Sequence, residues 1–258
     1  MTAVEKAAFK KKLKREAQNM GVNLIGFANV ERWAEYKLTE EEYYPHTIWP
    51  WAKTVMVMAV QIYLPMLETT PSVVYSELYN TTNRMLDEIA YKIANKLNIY
   101  GYRAHFFPRD CYGDISVLIK KPEAAFSHVI AAYYAGLGTI GMNHTLLTKD
   151  YGPRVRFVSV ITDAEITPDP MIEQSICVGC KMCVKNCPVN AFTVKEGQLV
   201  AEMDKKKCAK YHSDLKGKFK YPCGRCTAVC PIGEDKKRYG RASVSNEGIE
   251  HVRAFGSN

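Results

Sequence analysis

Cys177-Val178-Gly179-Cys180-Lys181-Met182-Cys183-Val184-Lys185-Asn186-Cys187-Pro188 decides how the chain is to be read. Three thiols at three-residue intervals can wrap three corners of an iron–sulfur cube. A fourth, followed by proline, turns away to serve a second cube. Downstream, Cys223-Gly224-Arg225-Cys226-Thr227-Ala228-Val229-Cys230-Pro231 repeats the device in mirror order, and Cys208 stands alone between the two runs. The simplest allocation puts Cys177, Cys180, Cys183 and Cys230 on one [4Fe–4S] cluster and Cys187, Cys208, Cys223 and Cys226 on another. Zinc also takes four thiolates, but its sites rarely need this three-plus-one spacing closed twice on Cys-Pro. Of nine cysteines only Cys111 is left over, in a Pro-Arg-Asp-Cys-Tyr turn, where it reads as a small buried residue.

Around this region the composition is ordinary. The chain has 258 residues, 47% hydrophobic and 24% charged, enough for one large domain or a medium domain carrying a smaller one. The formal charge is +8. Each oxidised cluster with its thiolates carries about −2, so two clusters lower this to about +4 and weaken any case for nucleic acid. Neither a membrane span nor an export signal is legible, since Val22 to Val30 is interrupted by Asn23, Gly26 and Asn29. The expected location is the cytoplasm, where clustered thiols stay reduced and serve metals.

Before the cysteines, hydrophobic patterning predicts alternating helices and strands, an α+β fold. Residues 3–20 read as a surface helix ending at Gly21, and 22–27 as a short strand. Residues 31–50 read as irregular. Thr54 to Val60 is a continuous apolar run, as in a strand buried on both faces. Pro71-Ser72 opens a long helix to about Leu97, Tyr102–Phe107 is a strand, 123–135 has helical spacing and Arg156–Thr162 is a strand. The acidic, proline-bearing stretch 163–170 suggests domains at 1–165 and 166–258.

Gly136-Leu137-Gly138-Thr139-Ile140-Gly141 matches the dinucleotide fingerprint literally, with Asp163 downstream. That fingerprint should follow a strand and open a helix, whereas here a helical pattern precedes it. Two readings remain beside a flavin- or nicotinamide-linked oxidoreductase. One is a helix C-cap followed by a tight turn; the other, preferred, is backbone passing close to a large ligand.

The segment Ala135–Asn143, followed by Tyr151-Gly152-Pro153-Arg154-Val155-Arg156, Val160–Asp163 and the early Trp49–Val57 strand, resembles epoxyqueuosine reductases and reductive dehalogenases. The order of the eight cysteines is similar too. The resemblance implies a nitroreductase-like α/β domain that binds cobalamin base-off, followed by a ferredoxin-like two-cluster domain feeding electrons to the cobalt. Gly136, Gly138, Thr139, Ile140, Gly141, Met142, Asn143 and His144 would wall the corrinoid. Where epoxyqueuosine reductases carry Asp-x-x-Pro-x-x-Glu, this chain reads Pro122 to His128 without the aspartate. It also lacks their helical-repeat tail and the twin-arginine signal of respiratory dehalogenases.

A proton donor must lie within hydrogen-bond reach of the substrate. His128 falls where the family has its glutamate, and Glu123 one position from its aspartate; these are the candidates. Both have bland readings, a satisfied histidine and a first-turn acid. Lysines 205–207, 216, 218 and 220 flank the second cysteine set. They fit either docking of reduced ferredoxin or flavodoxin as donor, or a solvated face. The expected function is a cobalamin-dependent iron–sulfur reductase of a small organic substrate. The alternative is an electron-transfer protein that reduces a partner corrinoid protein.

Overall fold

In the computed structural model, residues 2–110 and 112–241 are described, so the reading of Cys111 lies outside the described residues. The strands, in chain order, are β1 (Leu24–Asn29), β2 (Thr54–Gln61), β3 (Ala104–Phe107), β4 (Thr139–Ile140), β5 (Leu146–Leu147), β6 (Val155–Thr162), β7 (Phe192–Thr193) and β8 (Glu202–Met203). β1, β2, β6 and β3 form one antiparallel sheet in that order, while β4–β5 and β7–β8 are small hairpins. Every residue of β2 is buried, as its unbroken apolar run predicts. Alternation along β2 then separates two cores. Met56, Met58 and Val60 face Leu13 and Ala17 of the Ala3–Asn19 helix and Leu86, Ile89 and Ile93 of the Val73–Ile99 helix. Val55, Val57 and Ala59 face Trp33, Phe126 and the His128–Tyr134 helix.

The long helix starts where the sequence puts it, with the Ser72 hydroxyl accepting from the Tyr75 amide at 3.1 Å. Two expectations shift. The 123–135 pattern is helical only over His128–Tyr134, because Ser127 caps it and the chain before it is extended. Residues 31–50 contain helices at Glu31–Tyr36 and Pro45–Ile48, too short to leave a periodic signal. Another short helix, Ile115–Lys120, is capped by Asp114 and was not legible.

After β6 the chain turns back over β1. The Asp169 amide donates to the Phe27 carbonyl at 2.8 Å. The Asp169 carboxylate accepts from the Phe27 amide at 3.0 Å and from Lys10 at 2.7 Å. This clamp holds the stretch leading to the cysteines against the sheet. Among the described residues no helix is long and apolar enough to cross a membrane.

Candidate active site

The eight thiols fall into two groups, in the allocation the spacing suggests. Cys177, Cys180, Cys183 and Cys230 line a small void of about 20 Å³ together with Met142, Asn143 and Ile232. Cys187, Cys208, Cys223 and Cys226 lie on the wall of a much larger cavity of about 490 Å³. The thiols are arrayed around these spaces: among the described residues no three His, Cys, Asp or Glu side chains converge on a single-ion position. Met142, Cys183 and Ala201 form an apolar cluster against which Cys177 and Cys226 pack, so thiols of both groups share it. Burial pushes the Cys183 and Cys208 thiols up to about 11, and those of Cys226 and Cys230 up to about 12. They stay protonated at neutral pH until iron displaces the protons.

The ligand loops are pinned from outside. The Thr70 hydroxyl donates to the Cys223 carbonyl, and the Asn143 side-chain amide to that of Cys226 at 3.3 Å. Arg154, fully buried, donates to the carbonyls of Cys230 at 3.1 Å and Ile232 at 2.5 Å, and pairs with equally buried Asp235 through 2.8 and 2.6 Å bonds. A buried guanidinium needs such full partnering to offset its desolvation. The result is that the segment carrying the last ligand is tied to the start of β6.

The glycine segment is explained by the protein's own backbone. Gly136 closes the His128–Tyr134 helix at φ +71°, its amide donating to the Tyr133 carbonyl at 3.0 Å. A Cβ there would overlap the Pro170 carbonyl oxygen, and one on Gly138 the Leu147 carbonyl. Gly141 abuts the Leu147 side chain. This is the C-cap and tight turn, feeding the β4–β5 hairpin, and no strand precedes it as a dinucleotide site requires. Thr139 accepts from the Ile176 amide at 2.8 Å, so the segment docks the cysteine region. Of the eight residues expected along it, Asn143 and His144 line the large cavity. Gly136, Gly138, Thr139, Ile140, Gly141 and Met142 do not.

The two proton-donor candidates fare differently from each other. Glu123 is exposed, accepts from Tyr43 at 2.8 Å and pairs with Lys121 at 3.2 Å, and is absent from the cavity wall. The Tyr43 and Lys121 bonds hold its carboxyl below the usual range, so it has no proton to give. His128 does line the cavity. Its Nε2–H donates to the Pro108 carbonyl at 2.9 Å, and the Ser159 hydroxyl faces Nδ1 at 2.9 Å. Burial lowers its pKa to about 4, leaving a neutral ring fixed at both nitrogens. The geometry makes it part of the wall.

Sequence reasoning missed the polar network at the cavity. Asp110 accepts from Tyr79 at 3.1 Å, from Tyr112 at 3.3 Å and from Arg156 at 3.0 Å. Arg156 also donates to the Tyr79 hydroxyl at 3.1 Å and to Asn83 at 3.1 Å, and its guanidinium lies 4.4 Å from the Tyr79 ring centroid. The Tyr112 and Tyr221 hydroxyls are 2.8 Å apart. Burial raises the Tyr112 and Tyr221 phenols well above the usual range. His212, packed edge-on to Tyr221, is pushed down to about 4 by burial. One signal was available: Arg156 is a charge inside a strand that is otherwise apolar or small, and its helix partners Tyr79 and Asn83 stand at i and i+4.

The cavity therefore has a thiol wall, a polar wall of phenols with the Arg156 guanidinium, further arginines at Arg109 and Arg225, and apolar sides from Ile62, Leu118, Phe126 and Val155. Its volume lies in the range of small-molecule sites.

Comparison with known proteins supports the iron–sulfur reading of the cysteines. Residues 176–234 match the 4Fe–4S dicluster domain family. The tetrachloroethene reductive dehalogenase of Desulfitobacterium hafniense is 31% identical over 193 residues, which are 69% of this chain and 32% of that protein. The epoxyqueuosine reductase of Bacillus cereus is 25% identical over 244 residues, 83% of this chain and 62% of that one. A solved reductive dehalogenase structure, described as suggesting a mechanism for B12-dependent dehalogenation, aligns with 95% of this chain and 33% of its own at TM-score 0.64 and 21% identity, which shows a shared fold. The chain thus spans about a third of the length of the dehalogenases it matches.

Proposed function

We propose that this relative of the reductive dehalogenases and epoxyqueuosine reductases is an iron–sulfur reductase. In this reading it passes electrons through two [4Fe–4S] clusters to a corrinoid in the large cavity and reduces a small organic substrate there. The observation that carries it is the cavity itself, with Cys187, Cys208, Cys223 and Cys226 on one wall and the Tyr79–Arg156–Asp110 network on another. A chain that only passed electrons to a partner would have no need of a proton-donating network beside a cavity.

What supports a corrinoid there is a mainly apolar surface, polar side chains gathered on one wall, and a set of four thiols alongside. Such a cofactor supplies a strongly reducing metal centre. The remaining work falls to the chain's own side chains. Tyr79 delivers the proton, its hydroxyl held between the Arg156 guanidinium at 3.1 Å and the Asp110 carboxylate at 3.1 Å. Tyr112, Tyr221 and Asp110 restore that proton through their linked hydroxyls and carboxylate. Neutral His128 and Ser159 hold the adjacent wall rigid. Phe126 and Phe107, stacked at 4.4 Å, back the wall and exclude water.

The test is anaerobic reconstitution with iron and sulfide, addition of hydroxocobalamin, desalting, and metal analysis. About eight irons and one cobalt per chain are expected. About eight irons without cobalt would contradict the corrinoid reading and leave an electron carrier.

A further inference from the structure

We propose that the exposed surface over the first cysteine set is the docking site of an acidic one-electron carrier protein. This rests on the reductase reading and adds where the electrons enter. The large cavity is lined by Cys187, Cys208, Cys223 and Cys226, and by none of Cys177, Cys180, Cys183 and Cys230. The first cluster is therefore the one turned away from the chemistry. Cys177 and Cys180 are half-buried, Cys183 and Cys230 are buried, and exposed Lys181, Met182 and Lys185 lie on the loop that carries the first three. Thiols of both sets share the apolar cluster of Met142, Cys183 and Ala201.

The surface around that loop is built for transient contact. Met182, Leu199 and Val200 are exposed by 39%, 46% and 37%. Leu199 lies beside Gly179, within the first cysteine loop. Lys181 and Lys185 bracket the four-residue helix Met182–Lys185 that carries Cys183, both exposed, and neither makes an ion pair among the described residues. A cube with four thiolates is anionic and would repel an acidic carrier. The two lysines reverse that field locally, and the apolar side chains supply a small dry contact. This pairing of a few cations with a modest apolar patch matches weak redox encounters in size and chemistry. One electron leaves the carrier and reduces the first cluster. It then passes to the second, so the carrier is oxidised by one unit and no proton moves.

The experiment follows cluster reduction in the reconstituted protein by stopped-flow bleaching, with two reductants: dithionite, and a reduced ferredoxin of acidic pI. Lys185→Glu and Leu199→Glu are compared with the pair Lys206→Glu and Lys210→Glu on the Lys205–Lys216 helix. The expected result is an about tenfold slower ferredoxin reaction at low salt for the first two variants, with unchanged dithionite rates. Should Lys185→Glu lose iron, Leu199→Glu, which lies outside the cysteine loops, carries the test. Equal ferredoxin rates in all variants, or a loss confined to the Lys206 and Lys210 pair, would overturn the proposal. Failure of dithionite to bleach the wild-type protein would instead bring down the reductase reading, and this proposal with it.

Discussion

The Tyr79 hydroxyl meets three neighbours that the chain keeps far apart, Arg156 on β6, Asp110 after β3 and Tyr221 in the cysteine region, and the proposed proton transfer rests on them. Removing its hydroxyl should lower kcat by about 10²- to 10⁴-fold, the usual range for a positioned acid, while iron content stays unchanged. The measurement is turnover of a small organohalide by Tyr79→Phe; a loss below tenfold would move the proton elsewhere. Glu123→Gln should leave turnover unaltered, since its carboxylate is an exposed partner of Lys121 and Tyr43. The buried imidazoles set an acid limit. His128 and His212 are held near 4 against an ordinary 6.5, so the unfolded chain binds more protons than the native one between those values. Their contribution to stability is complete above pH 6.5 and is lost as pH falls toward 4. The melting temperature should drop over that window, less steeply in His212→Phe. At this scale the cysteine ligands were legible because their spacing is local. The proton network was not, because its members meet only after the sheet has formed. His128 and Glu123 were chosen by their place in a family motif, and of the two only His128 lines the cavity.

Elements show the same division between local and long-range information. The Val73–Ile99 helix and β2 were readable from periodicity and an unbroken apolar run. The glycine segment was legible, but its contacts with Leu147 and Pro170 were not, because no pattern in the chain says which backbone will lie opposite. Gly138→Ala should cost more than about 2 kcal/mol in a denaturant titration, because the Leu147 carbonyl belongs to the hairpin and cannot retreat. The Arg154–Asp235 pair ties β6 to the segment after Cys230. Asp235→Asn leaves that guanidinium without its charge partner. Loss of about 3–5 kcal/mol is expected, with iron lost from the first cluster before the second. Retention of both clusters at wild-type denaturant concentrations would show that the strap is dispensable.

Across the whole molecule, the α+β layer and the cysteine region meet at one cavity, and the glycine segment and the Asp169 clamp hold them together. The order of parts was visible in the sequence as two compositional regimes. Their relative placement, with the second cysteine set on the wall of the large cavity and the first around a separate small void, emerged only in three dimensions. That placement is the central claim, and it makes the route of electrons directional. The most direct test is a reductive titration of the corrinoid-loaded protein and of its Cys208→Ser variant, followed by visible and electron paramagnetic resonance spectra. The account predicts that in the wild type, electrons added to the clusters appear on the bound cobalt. In Cys208→Ser the first cluster should still be reduced while the cobalt is not. Equal cobalt reduction in both proteins would contradict it.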